Sequence, residues 1–183
     1  MNFYIQLKTS LIAIFLFPVM VLGQQDFEKI ESRNFKNLYK LNDSLFRSEQ
    51  PSRKGFKELE GMGVQSIINF RRLKEDRRKA RSTDLTLNWI PIRTKELTEA
   101  QLVEALRVIK DSEKPVLIHC WHGSDRTGAV AAAYRVVFQN WSKEDAIREL
   151  RYDEFGYHEN WYPNIITLIN SLDVPAIRKE LEL

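Results

Sequence analysis

The sequence predicts an α/β fold, a mostly parallel central sheet flanked by helices, on the strength of three observations. Apolar runs of strand length, Val64 to Phe70, Leu85 to Ile92 and Lys114 to Cys120, alternate with segments whose apolar residues recur at helical spacing. Turn and cap residues fall between them. The stretch Val116 to Tyr134 joins a buried strand, a polar loop and an almost wholly apolar helix without interruption. Ligands of such a sheet are expected outside the carboxyl ends of its strands, and Cys120 sits at one.

In chain order, residues 1–23 read as a secretory signal peptide. Lys8 supplies a short positive region, Leu11 to Leu22 is apolar apart from Pro18, and Val21-Leu22-Gly23 offers a cleavage site before Gln24. The apolar run is well short of the roughly 20 residues that span a bilayer, so an exported protein, periplasmic or secreted, with no stable membrane span is expected. The apolar residues before Lys8 keep an uncleaved anchor as the alternative. Residues 24–37 are polar with scattered aromatics and are expected to form a loosely held lead-in, with 38–183 as a single domain.

Within that domain, Leu38 to Leu41 and Ser44 to Ser48 flank the turn pair Asn42-Asp43, which predicts a hairpin at the sheet edge. Pro51-Ser52 opens a helix that presents Phe56, Leu59 and Met62 on one side and stops at Gly63. Thr98 and Gln101 form a capping box ahead of Leu102, Ala105, Leu106 and Ile109. Ser142 and Asp145 cap the helix that buries Ala146, Ile147 and Leu150. Phe155 to His158 breaks the pattern, Trp161 to Leu172 is helical, and Pro175 opens a short last helix.

The chain has 28 Lys and Arg against 25 Asp and Glu, and the signal segment holds only Lys8 of these, so the remainder is close to balance. That argues against a nucleic-acid partner. Seven of the eleven residues from Arg71 to Arg81 are nevertheless basic. They read either as an electropositive rim that attracts phosphorylated substrates or as a solvated helix face with its own ion pairs.

One cysteine cannot form an internal disulfide, and an exported protein has little other structural use for a lone thiol. Cys120 is therefore read as reactive. The N–H groups of a loop and of the helix turn after it have no intrahelical partners and make an anion site at the helix N-terminus. A sulfur at the bottom of such a site is favoured as thiolate, so nucleophile and phosphate cradle become one structure.

His119, Cys120, Gly123, Arg126, Thr127 and Gly128, between a strand and an apolar helix, resemble the signature loop of the protein tyrosine phosphatase superfamily, on its dual-specificity side. Phe46-Arg47-Ser48 through Pro51 resembles the leading segment of the bacterial and atypical members. The resemblance implies a Cys-based phosphatase fold and a phosphomonoester hydrolase without cofactor. Cys120 would attack phosphorus to form a phosphocysteine, Arg126 would clamp two phosphate oxygens, and Thr127 would stabilise the departing thiolate. Trp121, His122, Gly123 and Ser124 would line the substrate site, with His119 as structural support. His119, Cys120, His122 and distant His158 do not make a metal site, because adjacent strand residues point apart and no second Cys completes the set.

The sequence departs from the family at the general acid. The loop Arg93 to Glu96 has no Asp, and Thr94 falls near the expected position. Asp125 inside the signature loop is the preferred acid and Glu96 the alternative, while Asp84 precedes the strand. The sequence Asp125-Arg126-Thr127 is similar to that of myotubularin and Sac-type phosphoinositide phosphatases, so the substrates implied are phosphoproteins, lipids or small phosphomonoesters, inositol phosphates included. The alternative class is a phosphate-binding module without turnover.

Overall fold

The computed structural model describes residues 27–183, so the expected signal peptide and its cleavage site lie outside the described residues. Six strands make one sheet: β1 (Glu28–Lys29), β2 (Tyr39–Asn42), β3 (Leu45–Ser48), β4 (Ser66–Asn69), β5 (Thr86–Trp89) and β6 (Val116–His119). Their spatial order is β1-β2-β3-β6-β4-β5. The first two pairings are antiparallel and the three involving β3, β6, β4 and β5 are parallel, so β6 lies between two parallel neighbours. Arg47 and Ile68 stand opposite Ile118 across this centre.

The pleat sends alternate residues to opposite faces, and each face has its own core. Phe46, Ile67 and Leu117 pack with Phe56 and Leu59 of helix α1 (Arg53–Gly61) and Ala80 of the short α2 (Arg77–Ala80). Leu45, Ile68, Val116 and Ile118 pack on the other side beneath α3 (Glu99–Asp111), α4 (Asp125–Phe138), α5 (Lys143–Leu150), α6 (Asn164–Ser171) and α7 (Val174–Glu180). Helix α4 is apolar nearly all round because it sits between the sheet and the outer helices.

The caps are as the sequence predicts. Ser52 accepts a bond from the Gly55 amide, Thr98 and Gln101 bond reciprocally, and Ser142 accepts from the Asp145 amide. Three expectations change. The segment after residue 27 is held rather than loose, since β1 pairs with β2 and Phe27 packs its ring 4.8 Å from that of Phe155. The hairpin is consequently covered by β1, and β3 is an interior strand. The helix expected from Trp161 starts only at Asn164, after Pro163, and leaves Trp161 exposed.

A buried ion pair ties these layers together. Arg135 of α4 bonds both oxygens of Glu149 on α5 and the carbonyl of Leu41 on β2, with both charged residues almost fully buried. Removing one partner of such a pair strands a charge and typically costs about 3–5 kcal/mol. Arg135→Met should therefore destabilise the domain in urea titrations by that amount, and the double variant with Glu149→Met should recover part of the loss. A double variant no more stable than Arg135→Met would show that the stranded Glu149 charge is not what destabilises it.

Candidate active site

The site is assembled at the carboxyl end of β6, where the chain turns from His119 through Cys120 to the first turn of α4. Cys120 is buried at 2% exposure, between the sheet and the helix it precedes. The return of the loop depends on Gly123, whose φ of +78° is the left-handed region that favours glycine. A Cβ there would lie 2.5 Å from the Ser48 carbonyl oxygen, so two backbones meet with no room for a side chain.

The loop is fastened from the neighbouring elements. The buried Arg47 of β3 donates from Nη2 to the Gly123 carbonyl at 2.7 Å, and its guanidinium lies 3.8 Å over the ring of Phe155. Burial pushes the Arg47 guanidinium down to about 10, which still leaves it charged at neutral pH. The Gln50 amide donates to the Trp121 carbonyl and Asn37 Nδ2 donates to that of His122. The ends of β3 and of the lead-in thus hold successive carbonyls of the loop. Among the described residues the amides of residues 121–127 have no acceptor, as at the start of any helix.

His119 is fully buried, with Nε2 2.7 Å from Oδ2 of buried Asp76 and Nδ1 3.1 Å from the Cys120 carbonyl. The ring is thereby held at both nitrogens between α2 and the loop. Asp76 is the N-cap residue of α2, inside the basic stretch, and so links that stretch to the loop. The two readings of the stretch divide: Arg71 and Asp76 turn inward while Arg72, Lys74, Arg77 and Arg78 are exposed.

Arg126 donates from Nη1 to the Phe70 carbonyl, and it lines a cleft of ≈ 330 Å³ with Arg72, Arg93, Lys95, Glu96 and Tyr162. Its Nε is buried without a protein partner, as is Oγ1 of Thr127. Polar atoms left this way beside the loop are positioned for a ligand. Glu96 shares the cleft and is bonded to Arg93 at 3.2 Å. Asp125 turns elsewhere: Oδ1 accepts from the His158 amide at 2.9 Å and from its Nδ1 at 3.1 Å. Trp121 and His122 stand exposed at the rim, and His158 completes it 6.3 Å from His122 and stacked on Trp161.

Sequence reasoning names His119 to Thr127, with Arg47 in the family-like segment and His158 as one reading of the opposite rim, but not the pairings of Arg47 with Gly123, Asp76 with His119 or His158 with Asp125. A charged residue in a strand between Phe46 and Ser48 was a usable signal for Arg47. Nothing in the sequence distinguishes Asp76 from a solvated carboxylate.

A lone buried sulfur beneath a glycine-turned loop, with an arginine at the following helix start and a parallel sheet behind it, defines the Cys-based phosphatase fold. The chain belongs to the dual specificity phosphatase family, matching its catalytic domain over residues 45–166. It is 30% identical over 144 residues to the dual specificity protein phosphatase TpbA of Pseudomonas aeruginosa, a match covering 78% of this chain and 65% of TpbA. The chain thus spans less than two thirds of that relative. The crystal structure of TpbA superposes with a TM-score of 0.78 at 26% identity, covering 88% of this chain and 99% of that one. A TpbA variant has been solved in complex with pTyr. The chain is also 31% identical over 128 residues to the inositol diphosphatase DSP5 of Arabidopsis thaliana, covering 62% of this chain and 59% of DSP5.

The close approach at Gly123 is directly testable. Gly123→Ala should displace the loop from Ser48, since both the backbone conformation and the contact resist a Cβ, a strain of about 1–3 kcal/mol. Vanadate binding should weaken at least about tenfold in a protein that still unfolds cooperatively. Unchanged vanadate affinity would show that the loop does not need this contact.

Proposed function

We propose that the protein is a Cys-dependent phosphomonoester hydrolase acting through a phosphocysteine intermediate. The observation that carries the reading is the placement of buried Cys120 at the floor of a loop whose carbonyls at Trp121, His122 and Gly123 are engaged from outside, beside the orphaned donor of Arg126. In the first step the Cys120 thiolate forms a bond to phosphorus and the bond from phosphorus to the leaving oxygen breaks. In the second, water attacks phosphorus, inorganic phosphate forms and the thiolate departs. The planar fork of Arg126 holds two equatorial oxygens through both steps, and the Thr127 hydroxyl receives the departing sulfur.

A phosphoprotein substrate is supported by the likeness to TpbA and by its complex with pTyr. A second reading, an inositol diphosphate or related polyanion, is supported by the cations Arg72, Arg93 and Lys95 around the cleft and by the likeness to DSP5. Export by the N-terminal segment belongs to the same proposal.

Cys120→Ser should keep vanadate or phosphate binding and lose turnover, because the loop amides survive while the nucleophile does not. Arg126→Lys should lose more than tenfold in kcat/KM, about 1.4 kcal/mol, since a point charge cannot reproduce the two-pronged contact. Turnover in the Ser variant, or a smaller loss in the Lys variant, would count against the mechanism.

The leaving oxygen also needs a proton, a contribution of about 10²- to 10⁴-fold from a placed acid. Both carboxylates accept hydrogen bonds, Asp125, the expected source, from His158 and Glu96 from Arg93, but only Glu96 lines the cleft that Arg126 lines. We assign the proton to Glu96 and a positioning role on His158 to Asp125. On aryl phosphates of graded leaving-group pKa, Glu96→Gln should slow poor leaving groups far more than good ones. Asp125→Asn should slow all of them alike, and the reverse pattern would return the role to Asp125.

A further inference from the structure

Arg71 and Arg72 follow β4 after Phe70 and face two different clefts. Arg72 lines the one shared with Arg126, and Arg71 lines a second, ≈ 400 Å³, together with Arg53, Lys74, Arg78, Lys79 and Trp121. Trp121 is the residue after Cys120, and Arg71 lies close enough to Cys120 and Arg126 to feel the charge of both, so the second cleft adjoins the signature loop.

The cations of this cleft outnumber its acids. Glu75 on its wall is bonded to Arg77 at 3.0 Å, and the next carboxylate, Asp76, is turned inward to His119. Among the described residues no carboxylate lies within ion-pairing distance of Arg53, Arg71, Lys74, Arg78 or Lys79. The Arg71 guanidinium is buried and held 4.5 Å over the Trp121 ring, a fixed cation on a fixed aromatic wall. Burial pulls Arg71 below its ordinary value, with Asp76 opposing and Arg126 adding to the shift. Lys79 is lowered first by burial and then by the charge of Arg71. Like charges crowded in this way are stabilised by a bound anion.

We infer that this cleft is a second anion subsite, taking another phosphate group of the same small molecule whose scissile phosphate lies in the signature loop. Five cations around one cleft suit a phosphate, with its nearly double charge and three acceptor oxygens, better than a lone carboxylate of a peptide. The inference rests on the reading of Cys120 and Arg126 as the first phosphate site. It places the preference of the enzyme with multiply phosphorylated small molecules.

The test uses myo-inositol hexakisphosphate as a competitor of p-nitrophenyl phosphate hydrolysis. In the variant Lys74→Ala/Arg78→Ala the inhibition constant should rise about tenfold more than KM for the aryl phosphate does, the effect of losing charge-assisted contacts. Exposed Lys54 on α1 does not line the cleft, and Lys54→Ala should change the ratio by less than about twofold. Calorimetry of the same probe on Cys120→Ser, with and without the cleft substitutions, gives a reading independent of turnover. If the wild type hydrolyses no aryl phosphate, the proposed function fails while calorimetry still decides the subsite. An inhibition constant that moves only in step with KM overturns the subsite. Cleft substitutions that weaken an acidic phosphotyrosine peptide but not the inositol probe overturn the ligand class.

Discussion

The grip of Arg47 on the signature loop is the constraint on which the site depends. The carbonyls of a buried loop must be satisfied, and among the described residues the Gly123 carbonyl has no backbone partner to do this. The buried guanidinium supplies the bond from the adjacent strand, and Phe155 covers its other face. The ring stands where the aromatic stretch breaks the helical pattern, so an irregular segment late in the chain stabilises a turn made much earlier. Phe27 and Tyr39 pack against the same ring, at 4.8 and 4.9 Å. The lead-in is ordered for this reason, and its order is part of the site.

His119 provides a second fastening from the opposite neighbour. Its bond to Asp76 crosses from β6 to the start of α2, and Asp76 is buried only because that short helix packs on the sheet through Ala80. The basic stretch therefore has two roles at once. Its inward residues secure the loop, and its outward residues set the potential over the clefts.

The fold was legible in the sequence because it is written in local signals. Strand runs, caps and the loop between Val116 and Tyr134 each depend on neighbours a few residues away, and they reappear as β4, β6, α3, α4 and α5. What could not be read depends on partners far along the chain. Arg47 and Gly123 are separated by 76 residues, Asp76 and His119 by 43, and Asp125 and His158 by 33. The hairpin was misplaced at an edge for a related reason, since Glu28–Lys29 is too short a strand to have any periodicity. The surroundings of Asp125 are a further case. Adjacent to Arg126 in sequence, it projects at the start of α4 toward His158, because successive residues of a helix do not share a face.

The near-balance of charge in the composition conceals a strongly polarised molecule. Whether a carboxylate counts toward the potential of a cleft depends on where its own hydrogen bonds go. Glu149 is consumed by Arg135, Asp76 by His119, Glu75 by Arg77, Glu96 by Arg93 and Asp125 by His158. Several of these acids lie close to the signature loop, and of them only Glu96 is paired to a cation, Arg93, that lines the cleft shared with Arg126. The cations Arg71, Arg72, Lys74, Arg78 and Arg126 have no such commitment to a carboxylate among the described residues, and they converge on the two clefts beside the loop. A field of one sign focused between low-dielectric walls raises the local concentration of anions and their rate of capture. The pairing pattern, more than the net charge, is what makes this end of the sheet a place for phosphate.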